Sequence, residues 1–480
     1  YARAVRHGLT LAIPFLIMGS FALLLTNFPL GVYQDFIRTW MNGAASAILE
    51  TLYQISLGSL ALVLTVTISI SYGHLTETDQ LFLYPIVAVC SYLAFCGGIE
   101  NQSDYIFNAE WVFTAMVITL LSCVLFHKIL KLGHRFERLH TTGADYLFNI
   151  SIQCLIPVIL VSLFFAVTGY VLRVAWDSSN ITNFGSYLFL KLFDKISGNL
   201  FGILLYVVMT HLLWFMGIHG TNTLEAVSRH LFEQNVEINQ SLVLAGHIPT
   251  EIFSKTFLDT FVFIGGCGTA LSFVLALYIA SKQSHNRKMS FVALPSALFN
   301  ISEIAVFGFP IIFNLTMLIP FILTPVILTL ISASAIKTGL VPAVTQSVEW
   351  TIPVLLSGYQ ATGSVSGSLL QLFNLLVGVF IYMPFVRRSE KQETGKFKQA
   401  VRQMEQDMAA GERDGVIPAY LSHKYPYYYY AKTLSMDLTN AMKRGQLQLF
   451  YQPQISSQGE LHGMEALLRW NHPVISLRLF

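Results

Sequence analysis

The chain has 480 residues, of which 54% are hydrophobic and 12% are charged, and its mean hydropathy is +0.57. Soluble domains carry about 25% charged residues, so this composition excludes an ordinary soluble protein and indicates a membrane protein. The net charge of +2 gives no general basic surface for nucleic acid. The five cysteines lie singly in apolar stretches, which excludes a disulfide framework.

Nine apolar stretches, taken in chain order, are predicted to cross a membrane as helices, since ~30 Å of hydrocarbon needs roughly 20 residues in a helix. They are residues 9–30, 57–73, 81–98, 111–126, 150–172, 200–218, 261–280, 314–336 and 369–386, some at the short end. Stretches broken by glycine, proline and polar residues lie around 219–260, 289–313 and 341–363. Non-helical backbone at membrane depth is tolerated only where it is buried in protein or lines a water-filled cavity. In transporters such interrupted segments mark the substrate site.

The loops between these stretches predict an orientation. Residues 127–140, 281–288 and 386–399 are strongly basic, whereas the loop 97–110 is acidic. Basic loops stay on the cytoplasmic side, so we expect these three loops and the C-terminus to be cytoplasmic.

An acidic residue, Glu303, lies within the apolar stretch 299–314, and no Lys or Arg lies within ten positions of it. An ionised side chain at membrane depth costs at least ~2.5 kcal/mol, so such groups usually face a cavity and serve a function. The alternative is that Glu303 is protonated or lies at an interfacial depth. Asn300 lies beside it and is a second candidate for binding.

A second cluster of candidate residues is the segment 214–226, WFMGIHGTNTLEA. His219 and Asn222 supply hydrogen bonds in both directions, and the neighbouring glycines allow a ligand to approach the backbone. The alternative is a capped helix end with His219 in the core. Glycines in 257–271 indicate either a sharp hairpin or close helix packing. A carboxylate, an imidazole, amides and aromatic rings suit a polyhydroxylated neutral ligand, and no phosphate-binding loop supports ATP-driven transport.

These segments, in this order, resemble the membrane-spanning IIC component of the bacterial sugar phosphotransferase system, in its lactose/cellobiose/diacetylchitobiose branch. The resemblance covers residues 1–388. Its motifs are matched by Gly217–Gly220, by Asn300, Ile301, Glu303, Phe307, Gly308 and Pro310, and by Trp350, Thr351, Pro353, Ser357, Gly358, Ala361, Thr362 and Gly363. The chain departs from the family pattern at Ser302, where Asn is usual, and at Ile304, where Pro is usual.

The resemblance implies an all-α polytopic protein of the bacterial cytoplasmic (inner) membrane, with about ten transmembrane helices, re-entrant hairpins and a homodimer. It implies that His219 and Glu303 contact a disaccharide, with Asn222 and Asn300 as further binding residues. The phosphate would come from separate IIB and IIA proteins, because no IIB-like cysteine loop or IIA-like histidine domain is found in the sequence. No cofactor is expected for the membrane part.

The composition changes after Arg388: residues 389–430 predict a cytoplasmic helical linker, and residues 431–480 predict a helix, a strand, a turn and a strand. This last part, a small incomplete α/β piece, resembles the start of EAL domains, which hydrolyse cyclic diguanylate. The resemblance makes Glu465 a metal ligand and Arg469 a nucleotide contact, with Gln452 in the preceding strand. Mg²⁺ or Mn²⁺ would be needed only by a complete EAL domain.

Two functions therefore remain open. The first is a sugar permease that presents its sugar to a separate IIB protein. The second is a sugar-sensing membrane domain that controls a cyclic-diguanylate phosphodiesterase.

The C-terminal segment generates a first prediction: the purified chain should not hydrolyse cyclic diguanylate. Glu465 offers one metal ligand, whereas a catalytic divalent ion needs several oxygen ligands and an activated water. The measurement is incubation with cyclic diguanylate and Mg²⁺ or Mn²⁺, followed by detection of the linear dinucleotide. Turnover that disappears in Glu465→Ala would contradict the prediction.

Overall fold

Helices dominate the fold, because at membrane depth a helix satisfies its own backbone N–H and C=O groups. The computed structural model describes residues 2–76, 80–98, 104–132, 145–175, 184–193, 196, 198–309, 311–415, 418–422, 425–472 and 476–478. Three features discussed above therefore lie outside the described residues: positions 99–103 of the acidic loop, positions 133–144 of the first basic loop, and Pro310.

The helices α1 to α20 have the following bounds. They are Ala2–Thr26, Gly31–Thr39, Ala44–Gln54, Leu60–Thr76, Leu83–Cys96, Val112–Lys131, Tyr146–Ala175, Phe184–Phe193, Leu200–Phe215, Gly220–Thr223, Glu225–Phe232, Asn235–Leu244, Lys255–Phe257, Ala270–Ala280, Ser284–Leu298, Glu303–Gly308, Leu315–Lys337, Leu356–Thr362, Val365–Asp414 and Tyr428–Lys443. A π-helical turn, Leu258–Val262, follows α13 directly.

The nine predicted apolar stretches all contain a helix. Within the described residues, five helices are long and apolar enough to cross a membrane: they begin at residues 3, 109, 146, 315 and 365. Four shorter apolar helices, α4, α5, α9 and α14, occupy four other predicted stretches. The chain is therefore a multi-pass, mostly helical membrane protein, and the total of ten spans with re-entrant hairpins stays a prediction.

The prediction of one continuous span over residues 261–280 is wrong. The π-helical turn ends at Val262, and α14 begins only at Ala270. Gly265, Gly266 and Gly268 between them have positive φ angles of 82°, 93° and 72°. A right-handed helix cannot continue through such residues, so the apolar run is split by a tight loop.

Two hydrophobic cores lie in the N-terminal unit, Tyr1–Arg387. The first is built mainly on the N-terminal helices, where α4 packs against α1, α5 and α6, and α5 packs against α7. The second joins α9 and the π-helical turn to α17. The interrupted segments pack around these helices. The backbone N–H and C=O groups of these segments therefore need hydrogen-bond partners within the protein.

The buried side chain of Gln371, on α19, supplies several of those partners. Its Oε1 accepts hydrogen bonds from the backbone N–H of Leu355 (2.9 Å) and of Gly358 (2.8 Å). Its Nε2 donates to the carbonyl of Thr260 (2.8 Å) and to the Ser357 hydroxyl (2.8 Å). One amide thus holds the start of α18 and the π-helical turn against a long membrane helix.

The second unit, Arg388–Phe480, ends in a small sheet. Strands β1 (Leu447–Ile455), β2 (Leu461–Asn471) and β3 (Ser476–Arg478) form an antiparallel sheet in the order β1-β2-β3. Helix α20 precedes it, and the turn between β1 and β2 lies at residues 456–460, where the sequence SSQGE predicts a turn. The predicted order of helix, strand, turn and strand is confirmed.

Replacing Gln371 with Leu should destabilise the fold by about 2–4 kcal/mol, because several buried polar groups lose a side-chain partner at once. Leu keeps the volume, so the change tests hydrogen bonding more than packing. The measurement is the free energy of unfolding in detergent. The matched control is Gln346→Leu at an exposed position, which should change little; equal effects would contradict the role given to Gln371.

Candidate functional site

A cavity of about 370 Å³ opens where the interrupted segments meet. Its apolar wall comes from the N-terminal helices, through residues such as Leu23, Tyr53 and Leu60. Its polar wall comes from the later segments: Tyr206, Thr221, Asn222, His219, Glu225, Ser228, Lys255, Asp259, Asn300, Ser302 and Glu303. The segments 214–226, 257–271 and 299–314 all contribute to this lining, and Trp350, from the third motif of the resemblance, lines it as well.

The turn that carries His219 is shaped by its two glycines. Gly217 has a φ of 85°, and a Cβ on Gly220 would lie 2.2 Å from the carbonyl oxygen of Thr210. Neither position accepts a larger side chain without a shift of the backbone. The chain can therefore leave α9 sharply and begin α10 with His219 directly at the cavity.

The imidazole of His219 uses its two nitrogens differently. Nδ1 accepts a hydrogen bond from the backbone N–H of Asn222 (3.4 Å) and lies 3.2 Å from the Thr221 hydroxyl. A ring whose Nδ1 is an acceptor carries its proton on Nε2, and Nε2 lies 3.7 Å from Oε1 of Glu303. The imidazole therefore caps α10 and also faces the acid at the cavity. The alternative that the sequence left open was different, with Asn or Thr as the cap and His219 in the core.

Glu303 is the first residue of α16, and its side chain is only 14% exposed. The 3.7 Å separation from His219 is longer than a hydrogen bond. Its other oxygen, Oε2, is buried and has no hydrogen-bond partner within the described residues. A buried carboxylate oxygen without a partner is costly, so the geometry leaves an acceptor available to a ligand.

The rings of Trp214 and Trp350 add aromatic surface to the cavity. Trp214 is buried, and its ring centroid lies 4.3 Å from that of His219. Its ring centroid also lies 5.6 Å from that of Phe307, which is on the same helix as Glu303, α16. The hydrophobic packing of Trp214 thereby sets the orientation of the imidazole.

Asn300 connects three segments through its side-chain amide. Its Oδ1 accepts from the backbone N–H of Gly265 (2.7 Å), and its Nδ2 donates to the carbonyls of Trp350 (2.6 Å) and Ile352 (3.2 Å). Its own φ is 62°, a conformation that Asn tolerates better than most residues. Asn300 lines the cavity, but its amide is already engaged in holding the cavity wall together.

The glycine loop, residues 265–268, packs against the segment that precedes Glu303. A Cβ on Gly266 would lie 2.6 Å from the carbonyl oxygen of Asn300 and 2.6 Å from Cβ of Ser302. The same loop is held by His211, whose Nε2 accepts from Gly268 N–H (2.9 Å) while its Nδ1 donates to the carbonyl of Val207 (2.6 Å). The sequence left a sharp hairpin and close helix packing open for these glycines; in the structure they form a tight loop, and Gly266 packs closely against the segment before α16.

Comparison with known proteins now decides the family. A model of the phosphotransferase system EIIC family matches residues 6–325, more than half of the chain. This chain belongs to the EIIC family.

Relatives cover most of the chain. The lichenan permease IIC component of Bacillus subtilis (strain 168) is 28% identical over 410 residues, covering 82% of this chain and 90% of the relative. The cellobiose-specific EIIC component of Geobacillus stearothermophilus is 27% identical, covering 82% and 91%. The crystal structure of ChbC, the IIC component of the N,N'-diacetylchitobiose-specific phosphotransferase system, is 25% identical, with a TM-score of 0.43 over 83% of this chain and 95% of that one.

The departure from the EIIC motif at Ile304 is compatible with the local backbone. Ile304 is the second residue of α16, within the first turn. The backbone N–H groups of a first turn have no acceptor within the helix, so a proline loses no hydrogen bond there and an isoleucine fits equally well. The helix α16 begins at Glu303 without the proline. Ser302 is buried beside Gly266, where its small side chain suits the close approach of the loop.

Two charged residues of the EIIC cavity did not emerge from the sequence patterns. Lys255 and Asp259 both line it, and Lys255 Nζ lies 2.9 Å from Oδ2 of Asp259. The available signal was a Lys–Asp spacing of four residues beside an apolar stretch, which places both side chains on one helical face.

The predicted residues of the C-terminal unit lie on its sheet: Gln452 is on β1, Glu465 and Arg469 are on β2, and Gln452 is opposite Glu465.

Replacing Gly266 with Ala should lower the free energy of unfolding by about 1–3 kcal/mol more than a matched glycine replacement, because the new Cβ would overpack against Asn300 and Ser302. The control is Gly339→Ala. Gly339 has a similarly positive φ of 76°, but no heavy atom of the described residues lies within 4 Å of the place that its Cβ would take. Unfolding in detergent measures both variants, and equal losses would show that strain at positive φ alone explains the effect.

Proposed function

We propose that this EIIC protein is a sugar permease that binds a disaccharide of the cellobiose, chitobiose or lactose class in the cavity around Glu303. The observation that carries the proposal is the buried Oε2 of Glu303, which has no hydrogen-bond partner within the described residues. The relatives named for lichenan and for cellobiose support this substrate class.

The cavity has the chemistry that a neutral sugar needs. A carboxylate accepts hydrogen bonds from hydroxyl groups, and the Nε2–H of His219 donates to a hydroxyl oxygen. The Trp350 side chain, which is 40% exposed and lines the cavity, can cover the apolar C–H face of a pyranose. The volume of about 370 Å³ falls within the usual range of small-molecule sites.

The same residues suggest how the sugar is prepared for phosphoryl transfer. A hydroxyl hydrogen-bonded to Glu303 is oriented, and its proton has an acceptor when the oxygen attacks phosphorus. His219, 3.7 Å away, would fix the position of that hydroxyl by donating to its oxygen. We propose that this is the sugar 6-hydroxyl, with Asn222 and Asn300 contributing to the shape of the site.

The phosphoryl group itself must come from partner proteins. IIC components work with IIB and IIA proteins, and the lactose-specific relative of Staphylococcus aureus (strain N315) is an EIICB component. We propose separate IIB and IIA partners for this chain, a homodimer, a cytoplasmic C-terminus, and a membrane part that needs no cofactor.

A second proposal concerns the C-terminal unit. The motif around Glu465, which pairs with Gln452 across β1 and β2, favours descent from an EAL domain. We propose on this basis, as an alternative, that the membrane part is a sugar sensor that controls a cyclic-diguanylate phosphodiesterase. A change in cyclic-diguanylate turnover on addition of sugar, in membranes that contain the protein, would test it.

Replacing Glu303 with Gln should weaken sugar binding by roughly 10- to 150-fold. Loss of a hydrogen bond to a charged group costs ~1.5–3 kcal/mol, and 1.4 kcal/mol is about tenfold in affinity. The measurement is the dissociation constant of cellobiose, diacetylchitobiose and lactose with purified protein.

The matched control is Glu237→Gln, which makes the same change at an exposed position outside the cavity lining. Unchanged affinity in Glu303→Gln for the sugar that the wild type binds would overturn the assignment.

A further inference from the structure

The Lys255–Asp259 pair is unusual because it faces the cavity. Ser254 caps the helical segment by accepting from Phe257 N–H (3.0 Å), and this start places Lys255 and Asp259 one turn apart. The Lys255 and Asp259 side chains are 43% and 21% exposed, and both line the same cavity as His219 and Glu303.

A purely structural role explains this pair poorly. Ion pairs four residues apart on a helix add little stability when they are exposed, and burying them carries a desolvation penalty. Charged residues in a membrane protein more often face a polar cavity because they serve a ligand there. Within the part of the chain that the structure describes, the pair makes one hydrogen bond, from Nζ to Oδ2, which leaves two ammonium protons and the other carboxylate oxygen for further contacts.

The surroundings of the pair match a second sugar ring. Tyr206 and Ser228 line the cavity with it, and Leu258 and Phe263 add apolar surface. Cys267 lines the same cavity as Glu303 and Asp259, so both carboxylates border one continuous space. A disaccharide that places one ring at Glu303 therefore has a polar partner for its other ring within the same cavity.

We propose that Lys255 and Asp259 form a second subsite that binds the sugar ring not held by Glu303, and that this pair makes the protein selective for disaccharides over monosaccharides. The proposal rests on the sugar-binding function given above. Lys255 donates to ring hydroxyls and Asp259 accepts from them, while the pair stays neutral overall and suits an uncharged sugar.

The test compares disaccharides with their one-ring counterparts. Purified wild type, Lys255→Gln and Asp259→Asn are titrated with cellobiose, diacetylchitobiose and lactose, and with the methyl β-glycosides of glucose, N-acetylglucosamine and galactose. For the disaccharide that the wild type binds, each variant should lose at least tenfold in affinity. Affinity for the matching monosaccharide glycoside should change by less than twofold, which also shows that the variant is folded.

Three comparisons make the result decisive. Glu303→Gln should weaken both ligand types, and Lys337→Gln, which removes an exposed cation outside the cavity lining, should weaken neither. Lys255→Arg keeps a cation and should retain more disaccharide affinity than Lys255→Gln. If Lys255→Gln unfolds, Asp259→Asn and Lys255→Arg carry the comparison.

The possible failures are distinguishable. Normal disaccharide binding in the Lys255 and Asp259 variants, or equal loss for both ligand types, would overturn the second subsite and leave the proposed function standing. A wild type that binds none of the six sugars would overturn both.

Discussion

The wall of the cavity depends on the hydrogen bonds made by the side-chain amide of Asn300. This amide joins the glycine loop, the segment before α16 and the segment around Trp350 through three hydrogen bonds. None of these segments is a continuous helix at that point, so their backbone groups need partners from elsewhere. Asn meets this need because it is both donor and acceptor and tolerates a positive φ.

Other buried polar side chains also form hydrogen bonds with backbone groups of the interrupted segments. Gln371 and Asn374 on α19 bond to backbone carbonyls of the π-helical turn, at Thr260 and Phe261. His211 accepts from the glycine loop, and Tyr382 donates to the carbonyl of Gly268 at 2.5 Å. A long helix is self-sufficient in hydrogen bonds, so its side chains are available to satisfy the broken segments beside it.

Neutral polar side chains satisfy the backbone of the broken segments, and the charged side chains discussed for the site lie at the cavity. Within the described lining of the cavity, the acids are Glu225, Asp259 and Glu303, and the Lys or Arg residue is Lys255. Asp259 is paired with that lysine, whereas Glu303 faces a histidine that already caps a helix. An acidic lining disfavours an anionic ligand and suits a neutral, hydroxyl-rich one, in agreement with the EIIC family.

A helix lies in each of the nine apolar stretches that the hydrophobic pattern marked, because the preference for lipid is visible in the composition of each stretch. The pattern failed at residues 261–280, where composition is apolar but Gly265, Gly266 and Gly268 split the run. Hydropathy measures transfer to lipid and carries no information on backbone conformation. The C-terminal helix and hairpin were predicted well, since their alternation and turn residues are local signals.

The sequence by itself determined that Glu303 and His219 are chemically unusual, since an acid in an apolar stretch and a histidine between glycines stand out locally. Only the tertiary structure decided that they lie 3.7 Å apart, that Asn300 is engaged as a brace, and that Lys255 and Asp259 share their cavity. The physical reason is that these residues come from separate interrupted segments. These segments come together through long-range hydrogen bonds and packing. The periodicity of residues along the chain gives no information about such contacts.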